Sequence, residues 1–188
     1  YIRAKEVLIS SGSIERPLVF GNNDTPGVML SSAANEYLKV YGVLVGKKPL
    51  IFTNNDSGYE TAIEFKKNGV DPMILDTRKE PKSEIIDEAK KLDIQIKFSY
   101  VVVAAKGYKK VKSAEVAKIS DDKNELGTLE NINCDCICVS GFWTPTIHLA
   151  SQSGNKTIFN KDIDAFVPGL SKQNETTLGA ASGTYTLD

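Results

Sequence analysis

An α/β fold, a parallel sheet flanked by helices with a small antiparallel meander added, is what this sequence predicts. Three observations carry it. Two short apolar runs, "PLIFT" and "PMILD", are each followed by a stretch of helical period, the strand–helix alternation of a parallel sheet. Near residue 94 the period changes to extended, in "IQIKFSYVVVAAKG", "KKVKSAEVAKIS" and "CDCICVSG". The segment "KKPLIFTNNDSGYETAIEFKKNGVDPMILDTR" also has the order strand, tight turn, helix, strand, acidic residue of a Rossmann-like nucleotide-binding βαβ unit.

The elements follow in order. "KEVLISSG" reads as a buried strand ending in a small-residue turn, and "SIERPLVFGNNDTPG" as a loop rich in Pro, Gly and Asn. "VMLSSAANEYLKVYG" reads as a helix: Leu30, Ala33, Ala34, Tyr37, Leu38 and Tyr41 stand at helical spacing, and Gly42 stops it. "SGYETAIEFKKNG" is the helix of the βαβ unit, with Ala62, Ile63 and Phe65 facing inward and Gly69 ending it. Pro72 opens the next strand, where a proline is tolerated. In "KSEIIDEAKKLD", Ile85, Ile86, Ala89 and Leu92 share one helical face. Gly107 and the "DDKN" cluster mark turns of the meander. "TPTIHLASQSG" reads as a short helix, and the last third as one strand near Thr176–Leu178 turning through "GAASG".

Composition narrows the function classes. The 188 residues suffice for a real core. Hydrophobic residues at 41% and charged residues at 25% fit a globular protein. A formal net charge of −1 implies neither a nucleic-acid nor an anionic-membrane partner. No apolar run is long enough for a transmembrane helix, and "YIRAKEVLIS" lacks the pattern of a signal peptide. That opening has no initiator Met and starts almost inside a strand, so a piece of a longer chain is expected. Cys134, Cys136 and Cys138 stand at strand spacing and are expected on one face as buried small hydrophobes. Neighbours along one strand do not bridge, and zinc wants paired CxxC-type turns. Free thiols fit a reducing cytoplasm.

The turn of the βαβ unit lacks most of its glycines. A dinucleotide fold uses G-x-G-x-x-G for a tight turn, for close approach of the pyrophosphate and for close helix–strand packing. The corresponding positions are Thr53, Asn55 and Gly58, so only the third glycine remains. Asn55 tolerates a left-handed turn, but its side chain is expected in the space of the pyrophosphate. The helix N-terminus at Ser57 still offers N–H groups and a positive dipole end. Asp56 would repel a phosphate and is expected to cap the helix. Against this stands Asp76, at the end of the second strand and about 20 residues on, the place of a ribose-binding acid. Two readings remain open for it: a ribose ligand for NAD, or a strand-end Asp that holds the next turn. Arg78 suits a 2′-phosphate in principle, and Asp76 argues against NADP.

Three phrases stand in a familiar order. "VLISSGSIERP" resembles the crossover strand by which two-dinucleotide-binding-domain flavoproteins leave their first nucleotide domain. "CDCICVSGFWTP" resembles the return crossover, and "VPGLSKQNETTLGAASG" the final strand and turn near the flavin. More narrowly, "RPLVFGNNDTPGVML", "IFTNNDSGYETA" and "GFWTPTIHLASQSG" together resemble the alpha subunit of heterotetrameric sarcosine oxidase, over nearly the whole chain.

The resemblance implies a flavin-dependent amine oxidase that demethylates sarcosine to glycine and reduces dioxygen to hydrogen peroxide, with tetrahydrofolate as a one-carbon acceptor. FAD would belong to the beta subunit, FMN to the alpha–beta interface and NAD to the alpha subunit, either in the site of the first nucleotide domain or in this second one. The implied partners are the other subunits and the remainder of the alpha subunit, in the cytoplasm. The implied divisions are residues 1–26 as the crossover, 27–140 as an NAD(P)-binding-like domain and 141–188 as the return to the first domain. Gly12 and Ser13 would lie near the adenosine of a nucleotide, with Arg16 and Glu15 fixing the loop or simply closing a turn. Gly179 and Ala180 stand where flavoproteins carry Gly-Asp, and Ala180 removes a polar partner for FAD.

No residue is expected to be catalytic, and no metal site is expected. His148, the only histidine, reads as a packed or capping group, and Phe142 and Trp143 as interface packing. Competing readings are a self-contained NAD(P)H-dependent flavoprotein reductase, the alpha subunit of a proline or opine dehydrogenase, and a pure docking module.

Overall fold

The computed structural model describes residues 3–120 and 125–186; the turn expected at "DDKN" lies outside the described residues. The chain enters through two three-residue strands, β1 (Val7–Ile9) and β2 (Ser13–Glu15). β3 (Val28–Leu30) and α1 (Ser31–Tyr41) follow, then β4 (Pro49–Thr53), α2 (Ser57–Lys67), β5 (Met73–Asp76), α3 (Glu84–Lys91) and β6 (Gln95–Phe98). β7 (Tyr100–Lys106), β8 (Ser113–Lys118) and β9 (Glu130–Asn133) form the meander. β10 (Cys136–Ser140), β11 (Trp143–Pro145), α4 (His148–Gln152), β12 (Thr157–Asn160), β13 (Ala165–Pro168) and β14 (Glu175–Thr177) complete the described elements with a 3-10 turn, Gly179–Ser182. These residues form two compact units, one running from Arg16 to Phe142, the other gathering the described residues up to Glu15 and from Trp143 on.

The larger unit is built on an all-parallel sheet of order β3-β10-β4-β5-β6. β4 and β10 are buried along their whole length, as strands covered on both faces must be, and read as apolar runs for that reason. Ile51, Ile74, Cys136 and Cys138 face one core with α1, α2 and α3. Leu50, Phe52, Leu75, Ile137 and Val139 face a second core closed by Val102, Ala114 and Val116 of the meander. The predicted α/β class and its meander therefore hold, and the meander is the layer that covers one face of the sheet.

Four local expectations change. Val28–Leu30 is an edge strand paired with β10, not the first turn of a helix. α1 therefore buries Ser31, Ala34 and Leu38, while Tyr37 and Tyr41 are 47% and 66% exposed and meet each other with rings tilted by 47° at 6.0 Å. Gly42 ends the helix as predicted, at φ +66°. The run "IQIKFSYVVVAAKG" serves two sheets, because Ser99 at φ +57° turns the chain from β6 to β7. β9, polar in composition, was not expected. The cysteines do not share a face: Cys134 packs on the meander side and Cys136 and Cys138 on the helix side. Cys134 precedes β10, and Asp135 breaks the alternation by accepting the Lys47 and Lys48 N–H groups at 2.8 Å each. All three cysteines are buried, as expected, and none forms a disulfide.

The smaller unit holds three two-stranded sheets: β1 with β14 in parallel, β2 with β11 antiparallel, and the hairpin β12–β13. Its first strand was expected to be buried. Only Ile9 is, and Leu8 is 69% exposed, because β14 is the one strand paired with β1 among the described residues. The loop expected from Ser13 begins as strand β2. The β12–β13 hairpin was not expected; its Phe159 and Phe166 rings meet edge to face at 5.2 Å.

Candidate functional site

In open α/β sheets ligands lie outside the carboxyl ends of the strands, at the point where strand order reverses. Here that point falls between β4 and β10, with β5 and β6 on one side and β3 on the other. The turn Thr53–Gly58 leaves β4 at this point. Thr53 is fully buried, and its Oγ1 donates to the Asn55 carbonyl at 2.8 Å and accepts the Asn55 N–H at 3.1 Å. Gly58 is required by packing: a Cβ there would stand 2.7 Å from the Thr53 Cβ. Of the fingerprint's three demands, close helix–strand contact is the one retained.

Asn55 does not stand out over the turn. It is buried, and its Nδ2 donates to the Ser140 carbonyl at 3.1 Å and to Ser140 Oγ at 3.2 Å. Its Oδ1 accepts the Ser57 N–H at 2.9 Å. One amide thus ties the carboxyl end of β4 to that of β10 and satisfies a donor of the first turn of α2. The expectation that Asp56 caps the helix is corrected: its side chain makes no capping bond, since its backbone is already helical at φ −77°, ψ −22°. Its carboxylate pairs instead with Arg78 Nη1 at 2.8 Å.

Asp76 ends β5 fully buried. Its Oδ1 accepts the Arg78 backbone N–H at 2.9 Å and Nε at 3.1 Å, and its Oδ2 accepts Tyr59 OH at 2.7 Å and Arg78 Nη2 at 2.8 Å. This is the strand-end Asp that holds the next turn. Burial, and then the hydrogen bond to Asp76, hold the Tyr59 phenol far above its ordinary value. Burial works against the Arg78 charge, but Asp76 and Asp56 outweigh it and raise its pKa. Sequence reasoning missed Tyr59 and Ser140 and placed Arg78 only against a 2′-phosphate. The Asp-x-Arg spacing of Asp76 and Arg78, with one residue between, was the available signal.

Thr53, Asn55, Ser57, Gly58 and Asp76 therefore come together in the larger unit. In the smaller unit Gly12, Ser13 and Gly179 follow the carboxyl ends of the paired strands β1 and β14, and Leu178 N–H donates to the Ile9 carbonyl at 2.9 Å. Gly12 and Gly179 both have left-handed φ, +72° and +61°, and no atom lies within 4 Å of where a Cβ would stand. The Thr146 N–H donates to the Gly12 carbonyl at 3.0 Å. Arg16 belongs to the larger unit, where its N–H donates to the Phe142 carbonyl at 2.8 Å.

His148 is exposed at the start of α4. Among the described residues no cluster of His, Cys, Asp or Glu could hold a metal, and no helix is long and apolar enough to cross a membrane. A cleft of about 690 Å³, lined among others by Lys47, Lys48, Asp71, Asp93, Gln95 and Asn133, opens at the amino ends of β4, β5 and β6, opposite the edge where such folds bind ligands.

No family model matches the chain. It is 33% identical over 187 residues to sarcosine oxidase subunit alpha of Corynebacterium sp. (strain P-1), covering 98% of this chain and 19% of that one. It is 38% identical over 191 residues to sarcosine oxidase subunit alpha of Rhizobium meliloti (strain 1021), covering 97% and 18%. The chain thus spans about a fifth of the length of the curated relatives it matches. Among solved structures it is similar to T. acidophilum thioredoxin reductase, with a TM-score of 0.74 at 18% identity, covering 97% of this chain and 59% of that one. It is also similar to the L-proline dehydrogenase of P. horikoshii, with a TM-score of 0.61 at 20% identity, covering 95% and 30%. The resemblance carried by the three phrases is borne out: nearly the whole chain corresponds to a part of the sarcosine oxidase alpha subunits. Its fold is that of the flavoprotein reductases.

Proposed function

We propose that this chain, matching a fifth of a sarcosine oxidase alpha subunit, serves as the scaffold segment of such a subunit. The complete oxidase demethylates sarcosine to glycine, releasing hydrogen peroxide, in a cytoplasmic hetero-oligomer. The segment supplies no catalytic residue. The larger unit, from Arg16 to Phe142, acts as a second nucleotide-type domain that holds no nucleotide, and the residues up to Glu15 and from Trp143 on contribute to a first domain whose cofactor is NAD. FAD and FMN belong elsewhere in the complex.

The observation that carries this reading is the state of Asp76. A ribose-binding acid must offer its oxygens to a ligand. Asp76 is fully buried and gives both oxygens to Tyr59 and Arg78. Gly12 and Gly179, by contrast, leave open space at a strand-end edge, which suits close approach of a nucleotide.

The test is the NAD content of the complete oxidase after acid release. Gly12→Asp keeps a residue that tolerates left-handed φ and sets a carboxylate beside the nucleotide; NAD should be lost. Asp76→Asn should leave NAD stoichiometric. Loss of NAD in Asp76→Asn with retention in Gly12→Asp would overturn the assignment.

A further inference from the structure

A dinucleotide bound to this kind of βαβ unit does mechanical work. Its pyrophosphate sits on the N-terminus of the helix, and its ribose hydroxyls bind the acid at the end of the second strand. The ligand thereby links the N-terminus of the helix to the carboxyl end of the second strand, a link that here also has the Tyr59 OH to Asp76 hydrogen bond. Here both contact points are already charged groups of the chain, Asp56 in the last position before α2 and Asp76 at the end of β5.

We infer that the Arg78 guanidinium is a built-in surrogate for the nucleotide, spanning the seat and holding α2 to β5. Its Nη1 pairs with Asp56 at 2.8 Å, while its Nε and Nη2 bind Asp76 at 3.1 and 2.8 Å. A planar fork with five fixed donors meets two carboxylates at once, which a lysine ammonium cannot do in the same geometry. Asp56 stands at the positive helix end where the phosphates would be, and Arg78 offsets part of the negative charge of Asp56 and Asp76.

The strut reaches further on both sides. The Arg78 carbonyl accepts the Ser99 N–H at 3.0 Å, just beyond β6, and the Thr77 N–H donates to the Thr53 carbonyl at 3.0 Å. Asn55 continues the seam to Ser140 of β10. The carboxyl ends of β10, β4, β5 and β6 are thus laced together without a ligand. This inference rests on the reading that the seat takes no nucleotide, and adds what occupies it and why.

The experiment is amide hydrogen exchange on the full chain, wild type and Arg78→Met, each with and without millimolar NAD. Arg78→Met should lose about tenfold or more in protection over residues 54–60, 76–79 and 99, with β8 unchanged. Arg78→Lys should restore only part of it. Asp56→Asn, which cuts one arm at a half-exposed site, should loosen residues 54–60 alone and serves if Arg78→Met does not fold. Unchanged protection in Arg78→Met, or in Asp56→Asn, or full rescue by Lys, would overturn the surrogate role. Protection of the wild-type turn by NAD would instead overturn the nucleotide-free reading on which it rests.

Discussion

Gly58 and Gly12 are kept for opposite reasons, and substitution separates them. At Gly58 an added Cβ meets the Thr53 Cβ at 2.7 Å and Oγ1 at 2.8 Å, inside a buried helix–strand contact. Gly58→Ala should cost about 1–3 kcal/mol by overpacking, even though alanine favours the helix by up to about 1 kcal/mol. At Gly12 there is space and only the φ of +72° resists, so Gly12→Ala should cost roughly 1–2 kcal/mol through the backbone alone. Denaturant midpoints measure both, and Thr53→Gly should rescue Gly58→Ala without touching Gly12→Ala. Cys134 makes a second residue-scale prediction. Burial, with Cys136 and Asp135 beside it, pushes its thiol from 9.0 up to about 12. The folded state therefore favours the neutral thiol. That stability is present in full below pH 9 and is lost as pH rises towards 12. In Cys134→Ala the slope of unfolding free energy between pH 9 and 11 should be shallower by up to about 1.4 kcal/mol per pH unit. Equal slopes would remove the thiol from the account.

At the scale of elements, α1 shows why periodicity alone misplaced a face. Six apolar positions fit the helical spacing, but the helix begins three residues later than that spacing suggests, because Val28–Leu30 is recruited as a strand by β10. What α1 needs on its inner face is small volume: Ala34 is fully buried in the cluster that includes Ala62 of α2. Ala34→Leu should therefore destabilise by about 1–3 kcal/mol, while Tyr41→Ser, at a residue 66% exposed, should stay within about 0.5 kcal/mol. A large loss for Tyr41→Ser in a thermal melt would restore the original stripe. The strands of the central sheet were legible for the converse reason. β4, β5 and β10 are buried on both faces, so each is an apolar run up to one polar residue at its carboxyl end, Thr53, Asp76 and Ser140, and needs no phase. β9 and the β12–β13 hairpin were not legible, because short strands paired at an edge carry mixed polar and apolar residues without a strong period. The turn Thr53–Gly58 lay between these cases: its glycine demand could be read, but the partners of Asn55 and Asp56, at Ser140 and Arg78, are long-range and left no local trace.

Across the whole molecule, stability should be distributed unevenly, and the sheets indicate how. The larger unit encloses two cores on either face of a five-stranded sheet. The smaller unit relies on pairs of strands, and its parallel pair β1–β14 leaves Val7 and Leu8 about half or more exposed. Parallel strands gain most when both faces are covered, and a two-stranded sheet alone is marginal in water. Amides of β1 and β14 should accordingly exchange by local opening at about the rate of loops, whereas those of β4 and β10 should exchange only through global unfolding, slower by roughly 10³-fold or more. The same chain carried within a full-length subunit of the kind it matches should gain protection at β1 and β14 and nowhere in β4 or β10. If β1 and β14 are already as protected as β4 in the chain by itself, the smaller unit is self-sufficient and its exposed apolar strands need no further cover. If protection instead rises on joining the full subunit, those strands are where the scaffold is completed.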